Sequence, residues 1–454
     1  MSTEPTVELI ADLVQRHQAE IPEWGHLPAA MRFKQAVVAR VGIDRAFRLC
    51  QQVLAVPGLE RMTVRRFTSL RRAAEERALS FRELWPGGAR FTLPPPRVIG
   101  EGNQAPLHGV DRSAYLACFE NVAVRGRSAL ILSESDALFD FEGQEFSNFN
   151  DNPEYDPGVL HSTRETLWTM EPRHPDMTVD EAFLLSGAHT VDFGHWMVEY
   201  LPKYIIAALS GLPPHVPVLI DERMPSTHRE ALELVLSRES RIIVVPHLAP
   251  VQVGRLWCAP NPMYMGFYPT DWNQEIWAHE ATEPARFATL VRELVRRAGS
   301  VLDEPTGCPR VFIARKPQRK KKLTNHREIE AVARTRAFKI VYPEDMSFVD
   351  QMRMAHHARH IVGPDGSGMF LGLFARPGAR MCVLNPRYTL PLGDVNAMLA
   401  SLGVDLTVMS GVETSNDDFC PFWYDYVIPM PQFSECLDRW LTERAPTPQA
   451  NGHV

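Results

Sequence analysis

No run in this 454-residue chain approaches the eighteen or so apolar residues that a membrane-crossing helix needs, so any work at a membrane is expected to be peripheral. The first residues, Met1-Ser-Thr-Glu-Pro-Thr-Val-Glu8, hold no basic region followed by an apolar core, and no secretory signal is expected. Cysteine is sparse: Cys50, Cys118, Cys258, Cys308, Cys382, Cys420 and Cys436 are scattered, with no C-x-x-C spacing. That excludes a zinc ribbon or a redox pair and leaves small apolar fillers in a reducing compartment. The expected location is therefore cytoplasmic, with the inner face of a membrane as the peripheral option. Positive charge is also lacking, since the net charge is −7, and a protein that coats nucleic acid through bulk charge is excluded. Neither the G-x-G-x-x-G of dinucleotide folds nor the G-x-x-x-x-G-K-[ST] of P-loops is present.

What is present is a globular composition, 45% hydrophobic and 23% charged, in a chain too long for one ordinary core. Residues 5 to about 85 read as helices, with apolar residues at helical spacing and arginines between them. The segment Phe91-Thr-Leu-Pro-Pro-Pro-Arg97 reads as a linker. Two strands, Tyr115–Val124 and Ser128–Ser133, flank Arg125-Gly-Arg127, which has hairpin length. Residues 141 to 176 are polar and read as a long loop. Strand-like and helix-like segments then alternate, including an amphipathic helix over His195–Leu209. A second alternating series starts at Arg310-Val-Phe-Ile-Ala314. Repeated β-α units imply parallel sheets covered by helices, hence an α/β fold with two Rossmann-like lobes. The expected division is a helical region over 1–90, a lobe over 91–300, a second over 301–440, and a flexible tail over 441–454. Ligands in such folds sit at the carboxyl ends of the strands.

Three clusters carry chemistry. In Ile361-Val-Gly-Pro-Asp-Gly-Ser-Gly-Met369, a buried strand runs into a glycine-rich turn and then an apolar helix. Gly363, Gly366 and Gly368 leave amides uncovered, Ser367 lies between them, and a helix N-terminus favours phosphate. The same pattern also serves as a plain strand-to-helix turn. Asp365 lies inside it, where a carboxylate repels phosphate unless it faces a sugar hydroxyl, an acceptor or a cation. In His189-Thr-Val-Asp-Phe-Gly-His195-Trp-Met-Val-Glu199, His195 and Glu199 are four residues apart and share a helix face. A carboxylate that orients an imidazole makes a general base; an ordinary surface pair has the same spacing. The basic segment from Arg315 to Lys322 offers Arg315 and Arg319 as pyrophosphate ligands, or a solvated loop. Asn325 and Glu328 are set to cap the next helix as a capping box. His356 and His360 have metal-ligand spacing, yet no H-E-x-x-H or carboxylate cluster completes a site. Tyr264-Met-Gly-Phe-Tyr268 with Trp272 can stack on a sugar ring or pack within the protein.

In this order the clusters resemble the family 61 glycosyltransferases, which include plant xylosyl- and arabinosyltransferases, animal N-acetylglucosaminyltransferases and bacterial capsular polysaccharide biosynthesis proteins. The family's H-W/F-x-x-E-x-L-P segment stands here as His195-Trp-Met-Val-Glu199-Tyr-Leu-Pro202. Its arginine-rich segment with Asn and Glu stands as Arg315, Arg319, Asn325 and Glu328, and its F-x-x-Q helix as Phe348-Val-Asp-Gln351. Its G-x-H-G-A-G-L stands as Gly363-Pro-Asp365-Gly-Ser-Gly-Met369, and its F-x-x-P-G as Phe374-Ala-Arg-Pro-Gly378. Asp365 replaces the family's histidine, Ser367 its alanine, and His326 the glutamate after Asn325. The resemblance covers about residues 110 to 390. It implies a GT-B fold with two facing lobes, a nucleotide-sugar donor, usually UDP-linked, a glycan or other hydroxyl acceptor, inversion, and no essential metal. His195 is then the base, Glu199 its orienter, and Glu199 or Asp365 the fallback. Arg315, Arg319, Asn325, Glu328, Gly363, Gly366, Ser367 and Gly368 hold the donor. A non-catalytic binder of the same fold, or another Rossmann enzyme such as a methyltransferase, remains as an alternative.

Overall fold

A computed structural model of the chain describes residues 27–53, 60–100, 106–140, 153–156, 158–264, 278–305, 307–316, 321–386, 393–414 and 424–443. The chain folds as two compact units that interleave in sequence. One comprises Met1–Pro86, Ser113–Pro225 and Leu236–Gln274, and the other Gly87–Arg112, Ser226–Val235 and Glu275–Val454.

The first unit is built on one large mixed sheet. At one end the strands Ile242–Val245, Val218–Asp221, Met177–Leu184 and Pro250–Cys258 run parallel, with Phe183 opposite both Val218 and Trp257. All four residues of Val218–Asp221 are buried, as expected of a parallel strand covered on both faces. Pro250–Cys258 then pairs antiparallel with Ala114–Arg125, and the sheet continues through Asp136–Phe139, Arg61–Ser69, Thr166–Glu171 and Val159–Ser162. Tyr115, Leu184, Leu219, Val251 and Leu256 lie in its core.

Three expectations need correction here. Helices Leu27–Val41 and Ile43–Val53 do form, broken at Gly42 with φ +77°, but residues 61–69 and 80–85 are strands on either side of the short helix Leu70–Arg77. The buried member of Arg61–Ser69 is Arg65, tied to Glu171 and Thr169, so the strand has no apolar alternation. The polar stretch 141–176 contains the paired strands Val159–Ser162 and Thr166–Glu171. The apparent linker holds the strands Arg90–Leu93 and Arg97–Ile99, both in the second unit.

The second unit contains a six-stranded sheet in the order Lys339–Val341, Arg310–Ile313, His360–Pro364, Arg380–Asn385, Asp405–Ser410, Arg97–Ile99, parallel throughout. Phe312, Val362, Leu384, Tyr426, Phe433 and Trp440 pack in its core. From Arg310–Ile313 the chain crosses to one side of the sheet, and from His360–Pro364 to the other. These adjacent strands therefore flank the topological switch point, where open α/β sheets leave a crevice at their carboxyl ends. Ser347 caps the helix Phe348–His357 through Asp350 N–H at 3.1 Å, and Gln351 donates to the carbonyls of Pro343 and Met346.

Gly363 sits in the strand beside the switch point, and a Cβ there would lie 2.6 Å from the Ile313 carbonyl oxygen. Backbone cannot yield as a flexible side chain can. Gly363→Ala is therefore expected to lower stability by about 1–3 kcal/mol, read as a lower urea midpoint with the slope retained.

Candidate active site

In the first unit, the strand Met177–Leu184 ends in a loop that leads to a helical stretch in three parts: Phe193–His195, a wider turn over Trp196–Tyr200, and Leu201–Leu209. Pro202 explains the wide turn. It has no N–H to give Val198, and its ring crowds that carbonyl. The ladder continues with the Leu201 N–H donating five residues back to the Trp196 carbonyl. The stretch is buried almost all round rather than amphipathic, with every residue from Trp196 to Ala207 inside.

His195 Nδ1 lies 2.9 Å from Glu199 Oε1, and their side chains are 14% and 2% exposed. This is not a surface pair. A buried carboxylate only accepts hydrogen bonds, so Nδ1 carries the proton and Nε2 is left as the basic nitrogen. Burial disfavours the charged imidazole, but the charge and hydrogen bond of Glu199, with Asp192 behind them, outweigh it and raise the His195 pKa above the ordinary 6.5. Of the two side chains His195 is the more exposed.

His189 lies flat against His195, with ring centroids 4.4 Å apart and planes 20° from parallel. Its Nδ1 is 3.1 Å from Asp192 Oδ2. Burial lowers its pKa, and the opposing hydrogen bond to Asp192 does not make up the loss. Arg127, read from sequence only as part of a hairpin, is buried, has φ +60°, and donates from Nε to the Ala188 carbonyl at 3.1 Å. A small cavity of about 30 Å³ has both apolar and polar residues in its wall, among them Leu130, Phe139, His189, Glu199, Tyr200 and Tyr264. It has room for roughly two waters and not for a sugar.

In the second unit, Arg315 follows the strand Arg310–Ile313, and Asp365 follows His360–Pro364, so both stand at the switch point. Arg315 donates to the Asp365 carbonyl at 2.7 Å. Gly366 has φ +150°, and a Cβ there would come within 2.4 Å of the Arg315 guanidinium. The Asp365 carboxylate faces a cation: it is ion-paired with Lys321, each side chain being 18% exposed. Sequence reasoning did not single out Lys321, and one run of basic residues offers no signal that separates it from its neighbours. It holds a left-handed backbone, φ +56°, at a cost of about 1 kcal/mol for a residue with a side chain. The chain after it is fixed: Lys322 O accepts from Tyr426 N–H, and Thr324 N–H donates to Tyr426 O.

Ser367 is exposed and opens a 3₁₀-helix, Ser367–Phe374, where an α-helix was expected. The Met369 N–H donates to the Gly366 carbonyl at 2.9 Å, which leaves the Ser367 and Gly368 N–H groups without an acceptor within the helix. Gly368 packs over Ile313 Cγ2, 3.3 Å from where its own Cβ would be. The capping box does not form. The Asn325 amide instead donates to the Ile428 carbonyl at 2.7 Å and accepts from its N–H at 3.3 Å, while Glu328 stays exposed on the first turn of His326–Thr335. His356 and His360 do not converge: His356 donates to the Phe374 carbonyl, and the His360 ring meets Trp440 edge-on. Arg319, Met265–Tyr268 and Trp272 lie outside the described residues. Among the described residues no group of three or more His, Cys, Asp or Glu is arranged to hold a metal, and no helix is long and apolar enough to cross a membrane.

Comparison with known families settles the class: this protein is a glycosyltransferase. The family model that matches is Glycosyltransferase 61, over residues 193–382, about two-fifths of the chain. The match opens on the stretch that carries His195 and Glu199 and closes in the strand after the glycine turn, so both clusters lie within it. No curated protein matches the chain.

Because the folded-state His195 pKa is raised, the His195–Glu199 interaction stabilises fully below pH 6.5 and fades as pH rises through the folded value. Glu199→Gln should therefore destabilise more at about pH 6 than at about pH 9, and the His195 titration seen by NMR should move to lower pH. An unmoved titration would show that Glu199 is not what holds the proton.

Proposed function

We propose that the chain is an inverting glycosyltransferase of GT-B type, moving a sugar from a UDP-linked donor to a hydroxyl of a glycan or glycoconjugate. The setting that suits it is polysaccharide assembly of the bacterial capsular kind, in the cytoplasm with any membrane contact peripheral. One observation carries the reading: a reachable imidazole, His195, backed by a fully buried carboxylate, Glu199. His195 Nε2 takes the acceptor proton as the hydroxyl oxygen bonds to the anomeric carbon. The bond from that carbon to the diphosphate oxygen breaks on the opposite face, and its electron pair leaves on the diphosphate.

The second unit offers cations suited to a diphosphate. Arg315 presents a planar fork suited to phosphate, Lys321 adds a point charge, and the first turn after Gly366 presents N–H groups. No essential metal is proposed. Gly363 and Gly368 serve by close packing, Asn325 is committed to the Ile428 backbone, and Glu328 stands exposed on the first turn of its helix. Asp365 is the counter-ion of Lys321, and an ion-paired carboxylate makes a poor base. That pairing gives the carboxylate a cation to face, while the replacement of the family's histidine still favours a non-catalytic reading.

His195→Ala is expected to keep UDP binding and lose transfer by about 10²–10⁴-fold. Arg315→Ala is expected to weaken UDP by about tenfold or more, the loss of one charge-assisted contact. A thermal-shift panel of UDP, GDP, CMP, dTDP, S-adenosylmethionine and NAD, with and without EDTA, checks the donor class. Stabilisation by UDP that survives EDTA supports the reading. A response to S-adenosylmethionine alone would sink it.

A further inference from the structure

We propose that His189 is a positioning residue of the reaction centre: pinned by Asp192, its ring stacks on His195 and holds that ring against Glu199. This rests on the reading of His195 as the base. A ring tied only at Nδ1 can still swing about its Cβ–Cγ bond, and a second contact across its face removes that freedom. His189 supplies the contact at 4.4 Å, in near-parallel geometry.

His189 is itself held on every side. Its Nδ1 meets Asp192 Oδ2 at 3.1 Å, and its backbone N–H donates to the Tyr200 hydroxyl at 3.3 Å. Tyr200 directly follows Glu199, so the residue that holds the His189 backbone is fixed to the one that orients the base. Gly187 makes the approach possible, since a Cβ there would lie 2.4 Å from the Tyr200 hydroxyl. Arg127 holds the intervening Ala188 carbonyl.

The two imidazoles are not interchangeable. His189 is 21% exposed as a side chain, yet its Nε2 is buried and has no hydrogen-bond partner among the described residues. That nitrogen is closed to an acceptor hydroxyl. A neutral ring suits the place: when His195 takes up a proton, a second charged ring 4.4 Å away would oppose it, whereas a neutral π-face accommodates it.

The test is the imidazole nitrogen NMR spectrum of His195, assigned by its loss in His195→Ala, in the full chain without ligand. The wild type should show a fixed tautomer with Nδ1 protonated. In His189→Ala the two nitrogen resonances should move toward each other as the ring leaves Glu199, and His189→Phe, which keeps the stack, should restore the wild-type pattern. An unchanged His189→Ala spectrum overturns the proposal, as does a His189→Phe spectrum that follows His189→Ala. If His189→Ala does not fold, Asp192→Asn decides, because a freed His189 ring must produce the same averaging. The spectrum needs no turnover, so this inference and the assignment of His195 as base, tested by transfer in His195→Ala, fail separately.

Discussion

A strand that pairs parallel with its neighbour must first cross back along the sheet, so every strand in a parallel set releases its chain at the same edge. That constraint decides where this protein can place chemistry. In the first unit the strand Met177–Leu184 releases the loop that carries His189 and Asp192, and the helix behind it carries His195 and Glu199. In the second, Arg310–Ile313 releases Arg315, and His360–Pro364 releases Asp365 and Gly366. The ladder that pairs Phe312 with Val362 sets the spacing of the last two, and Gly363 lets the strands close to backbone contact. The side chains at these ends are short-range consequences of a long-range rule.

Charge at such an edge needs a partner in proportion to its burial. Glu199, 1% exposed, is tolerated because it accepts a hydrogen bond from His195, and in doing so it sets both the tautomer and the direction of the histidine's pKa. Asp365 is open enough to meet solvent, but it faces Lys321 and leaves Arg315 hydrogen-bonded through its carbonyl alone. Among the described residues the guanidinium is thus held by a neutral acceptor and has no carboxylate paired with it. The charge at this edge is then two cations and one counter-ion, not a neutral pair.

The alternation of strand and helix after residue 177 was legible because parallel strands buried on both faces read as short apolar runs, as in Val218–Asp221. The two clusters were legible too, since His195 and Glu199 sit at helical spacing and glycines mark the turn. The helices Leu27–Val41 and Ile43–Val53 were legible as well, but the strands between residues 60 and 100 were not. Arg61–Ser69 buries an arginine against Glu171, a contact 106 residues away that local pattern does not contain. Arg90–Leu93 and Arg97–Ile99 take their structure from partners at Leu107–Asp111 and Asp405–Ser410. The capping box failed for the same reason: Asn325 had a distant competitor for its amide in the Ile428 backbone, and satisfying both groups of that residue won over a local cap.

Pro202 shows how a residue without a chemical role can still decide the site. It removes the N–H that would continue the regular ladder, and the turn widens over Trp196–Tyr200. Wide turns of this kind are rare and concentrate at functional sites, because they shift side chains relative to the regular helical repeat. Here the widened segment carries Glu199 and Tyr200, one holding the His195 ring and the other the His189 backbone. A regular helix would keep the spacing of His195 and Glu199 but would turn Tyr200 differently relative to both. The proline in His195-Trp-Met-Val-Glu-Tyr-Leu-Pro202 therefore belongs to the same construction as the histidine and the glutamate, and it acts through the backbone.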